Sequence, residues 1–96
     1  MEILPIAASS LNAAATVTAV RANNIVNATT PDYTAAAPVY SSRANGGVAV
    51  FAQDVGAPVN LTLEIIGLKS ALDQYKAAAV LVETADELNK TALSVA

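Results

Sequence analysis

A mainly α fold is expected from this sequence: two long terminal helices that pair as an antiparallel, coiled-coil-like hairpin, joined by a short β-hairpin or irregular middle section. Three observations predict it. Leu4, Leu11, Thr18 and Ile25 recur every seven residues near the start of the chain. From Leu61 onward, apolar residues step by three and four. Between these segments, two short β-prone runs flank Asn45-Gly46-Gly47.

The first helix, within residues 1–30, carries the two-in-seven apolar spacing of a helix that packs along another helix. Ala7, Ala14 and Ala28 fill the intermediate positions, with Arg21 the exception. Pro5 is tolerated in a first turn, where its missing N–H has no partner to lose. The helix is expected to stop before Thr30, because the residue preceding Pro31 is pushed out of the α region. Its many Asn, Thr and Val residues are mediocre helix formers, so its order must come from packing. Arg21 is its only charge, which leaves little of its surface suited to water.

Residues 31–58 form the middle section. Thr29-Thr30-Pro31-Asp32-Tyr33 has the composition of a turn. Val39-Tyr40-Ser41 and Val48-Ala49-Val50-Phe51 are β-prone, and Asn45-Gly46-Gly47 between them accepts positive φ, so a β-hairpin is expected. Two strands alone are marginal in water, so the hairpin must lean on the helices or on a neighbouring subunit.

The last helix falls within residues 59–96. Its apolar stripe runs through Leu61, Ile65, Leu68, Leu72, Tyr75, Ala79 and Val82, and continues through Ala85, Leu88, Ala92 and Val95. Asn60 suits the N-cap, with Glu64 in the first turn. Asp86 with Lys90, and Asp73 with Lys76, are spaced to pair along the helix. Gly67 weakens the helix by about 1 kcal/mol against alanine, or else permits a close approach. The two helices span roughly 35 Å and 50 Å, so a hairpin leaves two or three turns of the longer one without a helical partner. Either the middle section or a kink covers that excess, or another subunit does. The missing polar face of the first helix favours the subunit.

Composition narrows the function. Ninety-six residues make one small domain at most, with a limited core. Cysteine and histidine are both absent, which removes disulfides, thiolate ligands, the commonest metal ligand and the commonest general base. A net charge of −3, with five basic residues, offers no patch for nucleic acid. Three tyrosines and one phenylalanine are few against the many alanines, and alanine-rich faces suit helices lying close together. The uncharged run from Ile3 to Val20 nearly reaches the length of a membrane span. It is weakly apolar, and Glu2 stands where a secretory signal carries positive charge, so a helix buried in protein is expected.

No constellation points to catalysis, a cofactor or a metal. Glu83, Asp86 and Glu87 form the densest acidic cluster, which reads as a solvated helix face, because a hard-cation site needs about six or more oxygen ligands. The serines have no histidine to activate them, and Ser70 next to Lys69 is not arranged as a site. Gly46-Gly47 lacks the further residues of a phosphate loop. The segment Arg21–Tyr33 stands apart: Asn23, Asn24 and Asn27 crowd three amides into five positions, each able to bridge backbone groups of another chain.

Leu11-Asn12-Ala13-Ala14, followed by Ala22-Asn23-Asn24-Ile25-Val26-Asn27-Ala28-Thr29-Thr30-Pro31-Asp32-Tyr33, resembles the N-terminal signature of bacterial flagellar axial proteins, the rod and hook group. Val59-Asn60-Leu61, Glu64, the region of Tyr75, and Val82-Glu83-Thr84-Ala85-Asp86-Glu87-Leu88 resemble that family's C-terminal segment. The chain departs from the family at Asp32, where glycine is common, and in its short middle section. The resemblance implies a subunit exported by the flagellar type III apparatus without a cleaved signal. Its terminal helices would assemble with copies of itself and with other axial proteins in the periplasm-spanning rod. Leu11, Ala14, Thr18, Ile25 and the stripe Ile65, Leu68, Leu72, Tyr75, Ala79, Val82, Ala85 and Leu88 would form the assembly interface. Asn23, Asn24, Asn27, Pro31 and Tyr33 would set the turn that leaves it. The competing class is a small adaptor whose helical hairpin clamps one partner helix.

Overall fold

Four elements follow one another in the computed structural model, which describes residues 3–44 and 46–95: α1 Ile3–Val26, β1 Ala36–Ser42, β2 Val48–Asp54 and α2 Leu61–Val95. Glu2, Asn45 and the side chain of Val95, on which parts of the sequence reading rest, lie outside the described residues. The fold is the expected one: two long helices with a small antiparallel sheet between them in sequence. Arg21 and Asn24, late in α1, meet Glu64 in the first turn of α2, so the helices run antiparallel.

Alanine makes the helix contact. Ala7 and Ala14 of α1, and Ala71, Ala78 and Ala85 of α2, are buried at seven-residue intervals. A side chain of one methyl lets the backbones approach closely while burying little area. The large residues of the expected stripe therefore flank the contact instead of filling it. Leu4, Leu11, Thr18 and Ile25 are half-buried, and Leu72 and Tyr75 remain exposed.

The β-hairpin packs on α1 and not on α2, so α1 lies between them. β1 and β2 are longer than their β-prone cores, pairing from Ala36 with Asp54 to Ser42 with Val48. Pro38 is accommodated because both strands of a two-stranded sheet are edges. At the hairpin tip Gly46 and Gly47 both have positive φ. Gly47 lies so close to Ser9 that a Cβ there would collide with its hydroxyl. Ser9 is itself buried; its Oγ donates to the Ile6 carbonyl and accepts the Val48 N–H at 3.0 Å. The tip is thereby fastened to the N-terminal half of α1.

At the other end, α1 gives way to turns in which Thr30 N–H bonds to the Asn27 carbonyl and Tyr33 N–H to that of Thr30. Asp32 sits at φ 61°, a left-handed conformation that glycine adopts without a Cβ penalty. α2 starts as expected: the Asn60 side chain accepts the Leu63 N–H at 3.2 Å. Asp86 pairs with Lys90 as expected, but Asp73 pairs with Lys69, not Lys76. A four-residue step leaves two side chains about 40° apart around the axis, whereas a three-residue step leaves about 60°.

The excess length of α2 is covered neither by the hairpin nor by a kink. α2 is continuous from Leu61 to Val95, and beyond Ala85 no described side chain on it is buried. α1 is long and apolar enough to cross a membrane by length and composition, and here it is packed between α2 and the sheet.

The exit from β2 carries a titratable fastening. The Asp54 carboxylate accepts the Gly56 N–H at 2.8 Å and the Thr34 hydroxyl at 2.8 and 2.9 Å. The backbone bond from Gly56, and then the Thr34 hydroxyl, hold its pKa below the ordinary carboxylate value. A lowered folded-state pKa means that the fastening contributes fully above the unfolded value and is lost as pH falls through the folded one. The Gly56 amide resonance is expected to titrate below the normal carboxylate range, and to be flat with pH in Asp54→Asn.

Candidate assembly interface

The polar residues singled out from sequence converge on one buried point. Asn24 has no exposed surface, and its carboxamide is bonded in all four directions. Nδ2 donates to the Ala36 carbonyl at 2.7 Å and to Glu64 Oε1 at 3.0 Å. Oδ1 accepts the Ala36 N–H at 3.0 Å and the Tyr33 hydroxyl at 3.1 Å. The side chain thus completes the backbone pairing of Ala36 where β1 begins. It bridges backbone of its own chain, where a bridge to another chain was expected.

Around it, Asn23 donates to the Tyr33 hydroxyl at 3.1 Å, and Asn27 Nδ2 donates back to the Asn23 carbonyl. The Thr30 hydroxyl bonds to Asn27 Oδ1. Asn23 and Asn24 in the last turn of α1 and Asn27 and Tyr33 in the bend after it therefore lie together, while Pro31 in that bend stands exposed.

Glu64 is 5% exposed, and its Oε1 takes the Arg21 guanidinium at 3.0 Å as well as Asn24. Helix-start preference explains an acid at this position but not its partners, and the Arg21–Glu64 pair went unrecognised in the sequence. Two breaks in the apolar patterns signalled it: Arg21 occupies an alanine place in the α1 repeat, and Gly67 interrupts α2. The structure joins these breaks, because a Cβ on Gly67 would stand 2.5 Å from Arg21 Nε. Gly67 makes room for the guanidinium. Arg21 Nε is also the buried side-chain nitrogen without a partner among the described residues.

The apolar residues divide between two sides of the helix pair. On the side away from the hairpin, Ala15 and Thr18 of α1 and Leu72 and Tyr75 of α2 line a hollow of about 210 Å³ between the helices. Leu11 and Ile25 of α1 and Leu68, Ala79 and Val82 of α2 are half-buried, and Ile65 is exposed. On the hairpin side, a groove of about 340 Å³ runs between Tyr40 and Val48 of the hairpin and Ala77 and Leu81 of α2, with Ala13 and Ala14 at its base. Ala14 and Ala85 are in the buried helix contact, and Leu88 is 58% exposed on the length of α2 beyond it. Ile65 is 52% exposed, Ile66 61% and Leu93 78%, so apolar surface surrounds much of α2.

Among the described residues no group of three or more acidic side chains is placed to hold a metal. Glu83 and Glu87 face solvent, and Asp86 is engaged by Lys90. No protein-family model matches the chain, and no curated protein resembles it significantly.

Two substitutions test the polar cluster. Asn24→Ala strands the Ala36 N–H and carbonyl and is expected to destabilise the fold by about 3 kcal/mol, measured by denaturant melts. Gly67→Ala raises helix propensity by about 1 kcal/mol yet is expected to destabilise, because it displaces Arg21 from Glu64. In an Arg21→Ala background the same glycine change is expected to become stabilising.

Proposed function

We propose that this chain is a non-catalytic structural subunit of the bacterial flagellar basal-body rod, or of the wider rod and hook axis. In this reading its terminal helices polymerise with copies of itself and with other axial proteins into a helical tube. The type III apparatus exports it without a cleaved signal, and it occupies the periplasm-spanning part of the organelle. The flagellar address rests on the resemblance of the Leu11–Tyr33 and Val59–Leu88 segments to that family.

The observation that supports assembly is the inversion of size across α2. Its buried row is alanine, while Leu61, Leu63, Ile65, Ile66, Leu88 and Leu93 are 47% to 78% exposed. The surface area, 6363 Å², exceeds the about 5,100 Å² of a compact 9.7 kDa monomer. Its radius of gyration, 16.6 Å, exceeds the about 12.5 Å of a compact domain of this length. Such a subunit stabilises its helices by burying them against neighbours.

The adaptor reading draws on the groove between hairpin and α2, which has the apolar lining a clamped helix would meet. Growth separates the two. After removal of denaturant, light scattering is expected to rise steadily, with far-UV circular dichroism gaining helix in parallel. Leu88→Glu, on the exposed length of α2, is expected to abolish growth. Assemblies of fixed low order that never grow would sink the axial reading and favour the adaptor. Electron cryo-microscopy of isolated basal bodies then tests the address directly.

A further inference from the structure

The two edges of the hairpin are not equally protected. Arg43 N–H bonds to the Gly47 carbonyl and Val55 N–H to that of Ala35, so odd-numbered residues bond inward across the ladder. The backbone groups of the even-numbered residues therefore point outward, to the open edges. On β1, Asn24 takes both groups of Ala36, and Pro38 has no N–H to give. On β2, the Ser9 hydroxyl takes the Val48 N–H. The other end of β2 stays open. There Val50, Ala52 and Asp54 turn their N–H and C=O groups outward, with no partner among the described residues, and Ala52 and Asp54 are exposed.

Nothing guards this edge. Edge strands are ordinarily protected by lysine, proline or a bulge. Val48–Gln53 has no charge, no proline and no glycine, and it pairs with β1 without a bulge. Phe51, on the surface of the same strand, is 53% exposed.

The open set is symmetric about Ala52, and this selects its partner. An antiparallel copy of β2, turned about a two-fold through Ala52, sets Ala52 against Ala52 and Val50 against Asp54. Each outward donor then meets an outward acceptor. Centring the pair on Val50 or Phe51 would instead call on the Val48 N–H, which Ser9 already holds. Charge agrees with the Ala52 setting, because the two Asp54 carboxylates stand four residues apart along the strands, about 14 Å, where repulsion is screened. The two Phe51 rings become diagonal neighbours at about 7–8 Å, within reach of one another. α1 leaves room, since it meets β2 near the tip through Ser9 and β1 near the base through Asn24, crossing the sheet obliquely.

We infer that the outer edge of β2 is a dimerisation edge whose occupant is β2 of a second copy, seated by this two-fold into a four-stranded antiparallel sheet. Both helix pairs lie on one face of that sheet, and the hairpin tips point opposite ways. α2 outruns α1 at the tip end, so its exposed lengths project from opposite ends of the dimer. The contact is small and made largely by backbone, which places it among weak interfaces, with a dissociation constant of about 10 to 100 μM. This pairing depends on the hairpin edge alone and not on a flagellar address.

Cross-linking tests it, because the natural chain has no cysteine. Across the two-fold, the Cα atoms of the two Ala52 residues stand about 5.5 Å apart, within disulfide reach. Mild oxidation at about 100 μM is expected to cross-link Ala52→Cys, while Val50→Cys and Ser42→Cys, the latter on the edge of β1, stay monomeric. Ala52→Pro removes the outward N–H at the axis, opposite Pro38, where the hairpin ladder does not use it. It is expected to keep the monomer's circular dichroism and to weaken dimerisation at least about 10-fold by sedimentation. In the natural chain, amide exchange at Ala52 and Asp54 is expected to slow as concentration rises, while Val48 stays constant. A monomer persisting to about 1 mM, cross-linking that favours Val50→Cys, or growth into β-fibrils would overturn the inference. Dimers that cross-link but never grow would leave it standing and remove the axial reading; growth without the cross-link would do the reverse.

Discussion

The carboxamide of Asn24 ties together all three parts of this small fold. It holds the first residue of β1 through both backbone groups, takes Tyr33 from the bend, and donates to Glu64 of α2. An amide withdrawn from water is costly unless each of its groups finds a partner, and here every one does. Its geometry can be satisfied only when bend, strand and second helix are in place together. The cluster therefore makes the fold conditional on its own completion, which an alanine contact cannot do.

Much of the architecture was legible in the sequence. Both helices, the hairpin and the Asn60 cap follow from local preferences that act within a few residues. The seven-residue repeats correctly pointed to helix pairing, but they placed large side chains at its centre. Counting hydrophobicity favours Leu4, Leu11, Leu72 and Tyr75 over alanine, whereas close contact favours the smallest side chain. Ala71 and Ala78, silent in an apolar count, are the residues that touch. The expected three-residue pair of Asp73 failed for a similarly geometric reason.

The polar cluster was harder to read because its members are separated by up to 43 positions. Arg21 and Gly67 each looked like a flaw in an otherwise regular pattern. Neither flaw identifies the other without the antiparallel alignment of the helices. The asparagines were conspicuous by their density, yet amides serve equally well within a chain or between chains, and their spacing does not tell which. Asp32 shows the opposite case: a turn residue, recognisable from sequence, that takes the left-handed conformation glycine adopts most readily.

The alanine ladder has a consequence for movement along the helices. Ala71, Ala78 and Ala85 are interchangeable steps, and so are Ala7 and Ala14 opposite them. Sliding α2 by one repeat, about 10 Å, would offer the same methyl groups to the same methyl groups. Nothing in the apolar contact distinguishes one such setting from the next. Glu64, engaged by Arg21 and Asn24, and Gly67, which makes room for Arg21, mark the true one, so the register of the helix pair is set at its hinge end and not along the ladder.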